Sequence, residues 1–282
     1  MIYVHQIGTL NCNENEEFDV KVAWKAVLPK SIRRTDRYIQ LSLLGAYRAV
    51  EGVKLPQDTA LYMASGQGNL AVVKRLRDQL YINQQPPKPV DFINSLSNTA
   101  GFYVAQFLNI EGKNLNVSRL GFVVETTLLL AQNDLSLKKE KMILLGGVDE
   151  RQKSRSFTQR TLGISDTTAL GEGSNWMLLS AEEEGSLASI EVGKVFLNLE
   201  NLKEYIDSLD ETTKIAFGLR CEKADIDVLL QGRKRFNVSC DFYESAAIYY
   251  LTTFIVSGSG ELVFIDRYKE RYRVIKVKLP TA

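Results

Sequence analysis

Residues 88–118, KPVDFINSLSNTAGFYVAQFLNIEGKNLNVS, decide the fold. Pro89 closes the only proline cluster, Gln84-Gln85-Pro86-Pro87-Lys88-Pro89, which marks a loop. Behind it, Asp91 to Ser95 and Thr99 to Leu108 read as helices, and Asn114 to Ser118 as a short strand. The next segment, 121–135, GFVVETTLLLAQNDL, is apolar nearly all round. A helix of that kind is buried on every side. Met142 to Leu145 then reads as a buried strand ending at Gly146-Gly147. Helix, strand, buried helix and buried strand in succession describe an α/β chain whose sheet is covered on both faces.

The pattern extends outward in both directions. Residues 2–10 read as a strand carrying Ile2, Val4 and Ile7, and residues 11–30 are polar, then mixed, as far as Pro29. Arg33-Arg34-Thr35-Asp36-Arg37 precedes a helical pattern that runs to about residue 51, with Asp36 as candidate N-cap. Residues 59–64, TALYMA, read as a buried strand, and Asn69 to Leu80 as a helix. Residues 150–170 are charged and Ser/Thr-rich and read as a loop; 174–181 and 187–197 read as strands, 199–209 as a helix and Lys214 to Leu219 as a strand. Residues 242–257, FYESAAIYYLTTFIVS, form a second buried helix. A hairpin, ELVFID and YRVIKVKL, follows it, turned at Tyr268 to Arg271. Two buried helices, each followed by an apolar strand, suggest an internal duplication.

Composition narrows the function. The 282 residues carry Lys+Arg 35 against Asp+Glu 34, a net charge of +1, so the basic excess of a nucleic-acid protein is absent. Hydrophobic residues at 45% and charged residues at 24% are ordinary globular values. His5 is the only histidine, which excludes any site needing two. Cys12, Cys221 and Cys240 form no CxxC pair, so a structural metal is not expected and free thiols are. No GxxxxGK[ST] or strand-linked GxGxxG occurs, and no nucleotide or other cofactor is expected. The N-terminus lacks a basic stretch followed by a long apolar one, and no run of 18 apolar residues exists. Neither a signal peptide nor a membrane span is expected, and the cytoplasm is the expected location. Asn116-Val117-Ser118 and Asn237-Val238-Ser239 then match the glycosylation pattern by chance.

Several segments, in order, resemble the β-ketoacyl synthase family. RRTDRYIQLSLLGAYRAV resembles its first long helix, and ALYMASGQGNL its strand running into a Gly-containing turn. The opening stretch matches best, through Pro89, Phe92, Ser95, Asn98, Ala105, Ile110, Gly112 and Asn114. MILLGGVDE, then ALGEGSNWMLLS with Gly171, Glu172 and Gly173, and VSGSGELVF complete the series. The resemblance implies a thiolase-like αβαβα layered fold with an internal pseudo-duplication, shortened by lost excursions. It implies a single domain over 1–282, with pseudo-halves of about 1–150 and 151–282.

The family's chemistry needs a cysteine nucleophile at the start of the first buried helix, where the helix N-terminus favours thiolate. Two histidines on separate loops assist the decarboxylative condensation. In this sequence the nucleophile position falls on Gly121, which has no side chain. The region of the first histidine, FGLRCEKADID, has none, and the second position falls at about Asp241. The resemblance therefore implies a non-catalytic ketosynthase-like subunit, similar to a chain-length factor. Such a subunit pairs as a heterodimer with a catalytic ketosynthase and works with acyl carrier protein. The implied pathway is bacterial polyketide, aryl-polyene or fatty-acid-like biosynthesis. The implied interface is the strand Asn114, Leu115, Asn116, Val117 and Ser118. Phe122, Val123, Glu125 and Thr126 are the candidates for lining an acyl tunnel.

Two alternatives stand beside this reading. One is a homodimeric acyl-binding or scaffold protein on the same fold. The other is an enzyme with relocated chemistry at Glu125 or Asp241. The plainer readings also stand. Glu125 is more often a satisfied buried acid than a catalyst, and His5 a structural histidine. Cys240 reads as a buried thiol, RQKSRSFTQR (151–160) as a solvated loop rather than a carrier-docking patch, and Phe242, Tyr243, Tyr249, Tyr250 and Phe254 as core and interface.

Overall fold

The computed structural model describes residues 1–27 and 34–280. Pro29 and Arg33, read above as a segment end and the opening of an arginine-rich turn, lie outside the described residues. The chain runs β1 (Ile2–Gly8), β2 (Asn11–Cys12), α1 (Val20–Val27), α2 (Arg37–Val50), β3 (Ala60–Ser65) and α3 (Leu70–Arg77). A π-helical turn (Asp78–Ile82) leads to α4 (Pro89–Asn94), α5 (Thr99–Leu108), β4 (Asn114–Ser118), α6 (Val123–Ser136), β5 (Met142–Asp149) and α7 (Arg155–Leu162). Then come β6 (Glu172–Ser180), β7 (Ala188–Phe196), α8 (Leu199–Asp207), β8 (Lys214–Phe217) and α9 (Lys223–Leu230). The last elements are α10 (Ala247–Ser257), β9 (Glu261–Tyr268) and β10 (Arg271–Lys278).

The strand order is β4-β3-β5-β6-β1-β7-β10-β9-β8, with β2 on β6. β1 is the seam: it pairs with β6 along most of its length, but with β7 only over Ile2, Tyr3 and Val4. On either side the same order repeats. β1, α2, β3, α6, β5 and β6 correspond to β7, α8, β8, α10, β9 and β10. The place of β4 is taken in the second half by extended residues 234–236, where Ile215 N donates to Lys234 O and Phe236 N to Ile215 O. The repeat turns over between β6 and β7, later than the boundary near 150 read from sequence, because β6 closes the first half's sheet.

Five layers follow from strand parity, since alternate side chains point to opposite faces. In β3, Ala60, Tyr62 and Ala64 face a middle core, whereas Leu61 and Met63 face an outer one. The middle core holds α6 (Val124, Leu128, Leu135) and α10 (Ile248, Leu251, Phe254) between the two halves of the sheet. One outer layer packs α1, α2 and α5 on β3, β5 and β6. The other packs Leu202 and Ile206 of α8 and Leu229 of α9 on β8, β9 and β10. This is a layered αβαβα arrangement, and both faces of the sheet are covered, hence the unbroken apolar runs.

Several local expectations are corrected. Residues 150–170 contain α7, whose Arg- and Thr-rich face hides its period. Residues 11–30 contain β2 and α1, and 223–230 a short helix that alternating charges disguised. The second buried helix starts at Ala247, because residues 242–246 turn to meet the site described below. α6 is not buried all round: Leu130 and Asn133 are exposed on one face of it, while Ala131 and Leu135 are buried on the other. Asp36 sits at the N-cap of α2 as expected, and its carboxylate also accepts from Asn69 Nδ2 (2.9 Å) and Asn94 Nδ2 (3.2 Å).

The two sheet edges differ. Residues 234–236 cover β8. Among the described residues no strand covers the outer edge of β4.

Candidate functional site at the start of the buried helix

β4 leaves the sheet through a sharp turn into α6. Gly121 and Phe122 are both left-handed there, with φ +66 and +53. Glycine adopts that region freely, whereas a bulky residue does so at a cost. A Cβ on Gly121 would lie 2.0 Å from Tyr268 Cγ, so position 121 has no room for a side chain. Tyr268 ends β9, and its ring meets Phe122 edge-on at 6.3 Å.

Two loops of the second half converge on this turn. The loop after β8 brings Arg220, and residues 240–246 before α10 bring Phe242 and Glu244. The Glu244 side chain is buried; its Oε1 accepts from Gly121 N, and its Oε2 accepts from Arg220 Nη2 at 2.7 Å. The Arg220 guanidinium lies between the Phe242 ring (5.0 Å) and the Tyr268 ring (5.4 Å). Gly66 is required opposite them, because a Cβ there would lie 2.2 Å from Glu244 Cβ.

Asp149 fixes the loops. Its Oδ1 accepts from Ser65 Oγ (2.9 Å) and Gly66 N (2.9 Å), and its Oδ2 from Ser245 N (2.8 Å). Burial pushes its carboxyl up to about 6 against the opposing effect of these bonds. Beneath the turn, Glu125 on α6 faces Asp266 on β9 and Arg273 on β10. Burial, and then the charge of Asp266, hold the Glu125 carboxyl well above the usual range. Burial, and then Glu244, push Asp266 up to about 7. Two acids this close in a dry site cannot both ionise easily and share a proton.

Two small cavities flank Glu244, each of ≈ 20 Å³. One is lined by Gln67, Asp149, Thr158, Leu162 and Phe242. The other is lined by Gly218, Arg220, Ala247, Tyr250, Phe264 and Asp266. Each has room for about one water.

The structure thus brings Gly121, Phe122 and Glu125 together with Arg220, Glu244, Asp266 and Tyr268. Sequence reasoning missed those last four. The signal for Glu244 was a lone acid in the apolar run 242–257; Asp266 ends the run 261–266, which Glu261 also opens, and carried no such mark. Val123 packs in the middle core, and Thr126 Oγ1 accepts from Arg119 Nη1 at 3.1 Å near the surface. Asp241 turns away from the centre: its Oδ2 accepts from Glu14 N (2.7 Å) and its N donates to Asn13 Oδ1 (2.9 Å). His5 lies on β1, bonded to Ser180 Oγ at 2.8 Å. The basic run 151–160 ties down the N-terminal loop through Arg151 Nη1 to Asn13 O (2.9 Å) and Arg155 Nη1 to Glu14 Oε2 (3.3 Å). None of the three thiols is activated: burial raises Cys12, raises Cys221 well above its ordinary value, and pushes Cys240 up to about 12. Among the described residues no His, Cys, Asp and Glu cluster could hold a metal ion, and no helix is long and apolar enough to cross a membrane.

No family model and no curated relative matches the sequence. Solved structures do match over nearly the whole length. The ishigamide ketosynthase/chain length factor superposes with TM-score 0.79 at 14% identity, over 99% of this chain and 99% of that chain. A β-ketoacyl synthase from Burkholderia phymatum gives TM-score 0.73 at 10% identity, over 99% of each. A ketosynthase in complex with its chain length factor from Xenorhabdus doucetiae gives TM-score 0.56 at 12% identity, over 97% of this chain and 98% of that one. At such identities the likeness establishes the fold: the chain has the thiolase-like fold of ketosynthases and chain length factors.

Proposed function

We propose that this chain is a non-catalytic ketosynthase-like subunit. It pairs with a catalytic β-ketoacyl synthase in bacterial polyketide, aryl-polyene or fatty-acid-like biosynthesis, in the cytoplasm, with acyl carrier protein as second partner. One observation carries the reading: the space above the start of α6 is filled by Tyr268, Arg220 and Glu244. Position 121 has neither a side chain nor room for one, and the two loops meeting it supply Arg220, Phe242 and Glu244 where the condensing chemistry needs imidazoles. A thioester has no thiol to form on there.

The pairing surface is β4. Among the described residues no strand covers its outer edge, and such an edge invites strand addition. Leu115 and Val117 pack toward the middle core, leaving Asn114, Asn116 and Ser118 on the other face. Phe92, Ile93, Leu96 and Phe102 are exposed on the helical region before β4, and Gly101, beside Phe102, packs on Asn114 and Asn116. Exposed large apolar side chains gathered on the elements before β4 favour a partner site there. With only water-sized cavities at the centre, an acyl chain has no room there inside this subunit, so a tunnel has to run between the subunits. Phe122 and Thr126 then approach it, while Val123 and Glu125 support it from within.

The test is co-expression with the neighbouring ketosynthase, followed by purification and product analysis. A stoichiometric complex, with product length altered by Thr126→Trp, is the expected result. A stable homodimer that ignores the ketosynthase would favour the acyl-binding or scaffold reading. Turnover of malonyl thioesters by the chain alone, lost in Glu125→Gln or Asp241→Asn, would favour relocated chemistry.

A further inference from the structure

The centre at α6 has the make-up of an anion site. The Gly121 N–H lies just before the first turn of a 14-residue helix, where backbone donors and the helix dipole favour negative charge. Arg220 adds a guanidinium that is 12% exposed, held between two aromatic rings. Its Nη2 donates to Leu162 O (3.0 Å) as well as to Glu244, and its Nε finds no acceptor among the described residues. What sits in the site is a carboxylate, that of Glu244, with one oxygen on each donor. Both ≈ 20 Å³ cavities are lined by Phe242, Tyr243 and Glu244, so Glu244 belongs to the segment that separates them. Both compartments mix polar and apolar groups: Gln67, Asp149 and Leu162 line the first, and Ala247, Tyr250, Phe264 and Asp266 the second.

We propose that this centre is a carboxylate-binding site that the protein fills with its own Glu244, and that a short-chain carboxylate takes the same place once that side chain is removed. Shortening glutamate to alanine deletes one CH2 and one carboxylate, which together have the size and charge of acetate. An external acetate would set its oxygens on Gly121 N and Arg220 Nη2. A longer tail would reach toward Ala247, Tyr250 and Phe264. The site is therefore expected to prefer acetate or propionate over formate, and to ignore chloride. The inference concerns this chain alone and holds whether or not it pairs with a ketosynthase.

The experiment uses the full chain carrying Glu244→Ala, titrated at pH 7 with sodium acetate against sodium chloride of equal ionic strength. Thermal unfolding and titration calorimetry are the readouts. The variant should melt below the natural protein. Acetate should restore it saturably, Tm rising by roughly 2–4 °C per tenfold increase above the dissociation constant. The natural protein should not respond, because its site is full. The double variant Glu244→Ala/Arg220→Met should also not respond. An acetate response in Glu244→Ala no larger than in the natural protein overturns the proposal, as does an undiminished response in the double variant. If Glu244→Ala does not fold in chloride, the yield of folded chain on refolding in acetate becomes the readout. A higher yield in acetate supports the proposal, and equal yields overturn it.

Discussion

At the scale of single residues, the centre reports on itself through strain and charge. Gly121→Ala adds a Cβ at a left-handed φ against the Tyr268 ring. It is expected to cost about 2–4 kcal/mol by urea denaturation, and Tyr268→Ala in the same chain should return the steric part. A single variant within about 0.5 kcal/mol of the natural protein, the range of a neutral surface change, would mean the ring does not fill the turn. The Glu125–Asp266 pair sets a pH dependence. Both carboxyls titrate above their unfolded values, so the folded state binds the shared proton more tightly. The stability this contributes is fully present below the unfolded pKa, near 4. It is lost as pH rises through the folded values, about 7 for Asp266. Glu125→Gln keeps the shape and removes one titration, so its stability should fall less than the natural protein's between pH 5 and pH 8. Parallel stability–pH curves for the two would show that the pair does not carry this dependence. Neither feature was readable in the sequence: Glu125 stood out as an acid in an apolar helix, but its partner lies on a strand more than a hundred residues away.

At the scale of elements, β4 has two sides with different work. Leu61 N donates to Lys113 O and Arg119 N to Ser65 O, so odd-numbered residues of this stretch turn their backbone groups to β3. The even-numbered ones, Asn114, Asn116 and Ser118, turn theirs to the open edge. Proline has no N–H and is tolerated only on the outer side of an edge strand. Asn116→Pro is expected to abolish co-purification with a ketosynthase while leaving Tm within a few degrees. Val117→Pro should break the β3 ladder and destabilise the chain itself. If Asn116→Pro pairs normally, β4 is not the interface. The strands other than the two-residue β2 were legible because each carries an apolar run or alternation. α1, α7 and α9 were not, because a short helix packed by only one or two side chains writes too few apolar positions to show a period.

At the scale of the whole molecule, β1 stitches two similar halves into one sheet. Ile2 and Val4 are fully buried, and Val4 is paired with Leu179 of β6 on one side and Ala188 of β7 on the other. Val4→Ala is expected to cost about 1–3 kcal/mol, as one buried apolar truncation does. It should lower hydrogen-exchange protection in β6 and β7 together; protection lost on one side only would show that the halves unfold separately. The sequence by itself determined the α/β class, the two buried helices and the hint of a repeat, because local periodicity is stated outright in a linear chain. Its resemblance to β-ketoacyl synthases implied the layered αβαβα plan and a centre without a thiol or imidazoles. Only the tertiary structure decided what stands in their place. Arg220, Glu244, Asp266 and Tyr268 come from three segments of the second half, and the turn at Gly121 from the first. Their meeting is set by how the two halves pack across the middle layer, and no spacing along the chain encodes that distance.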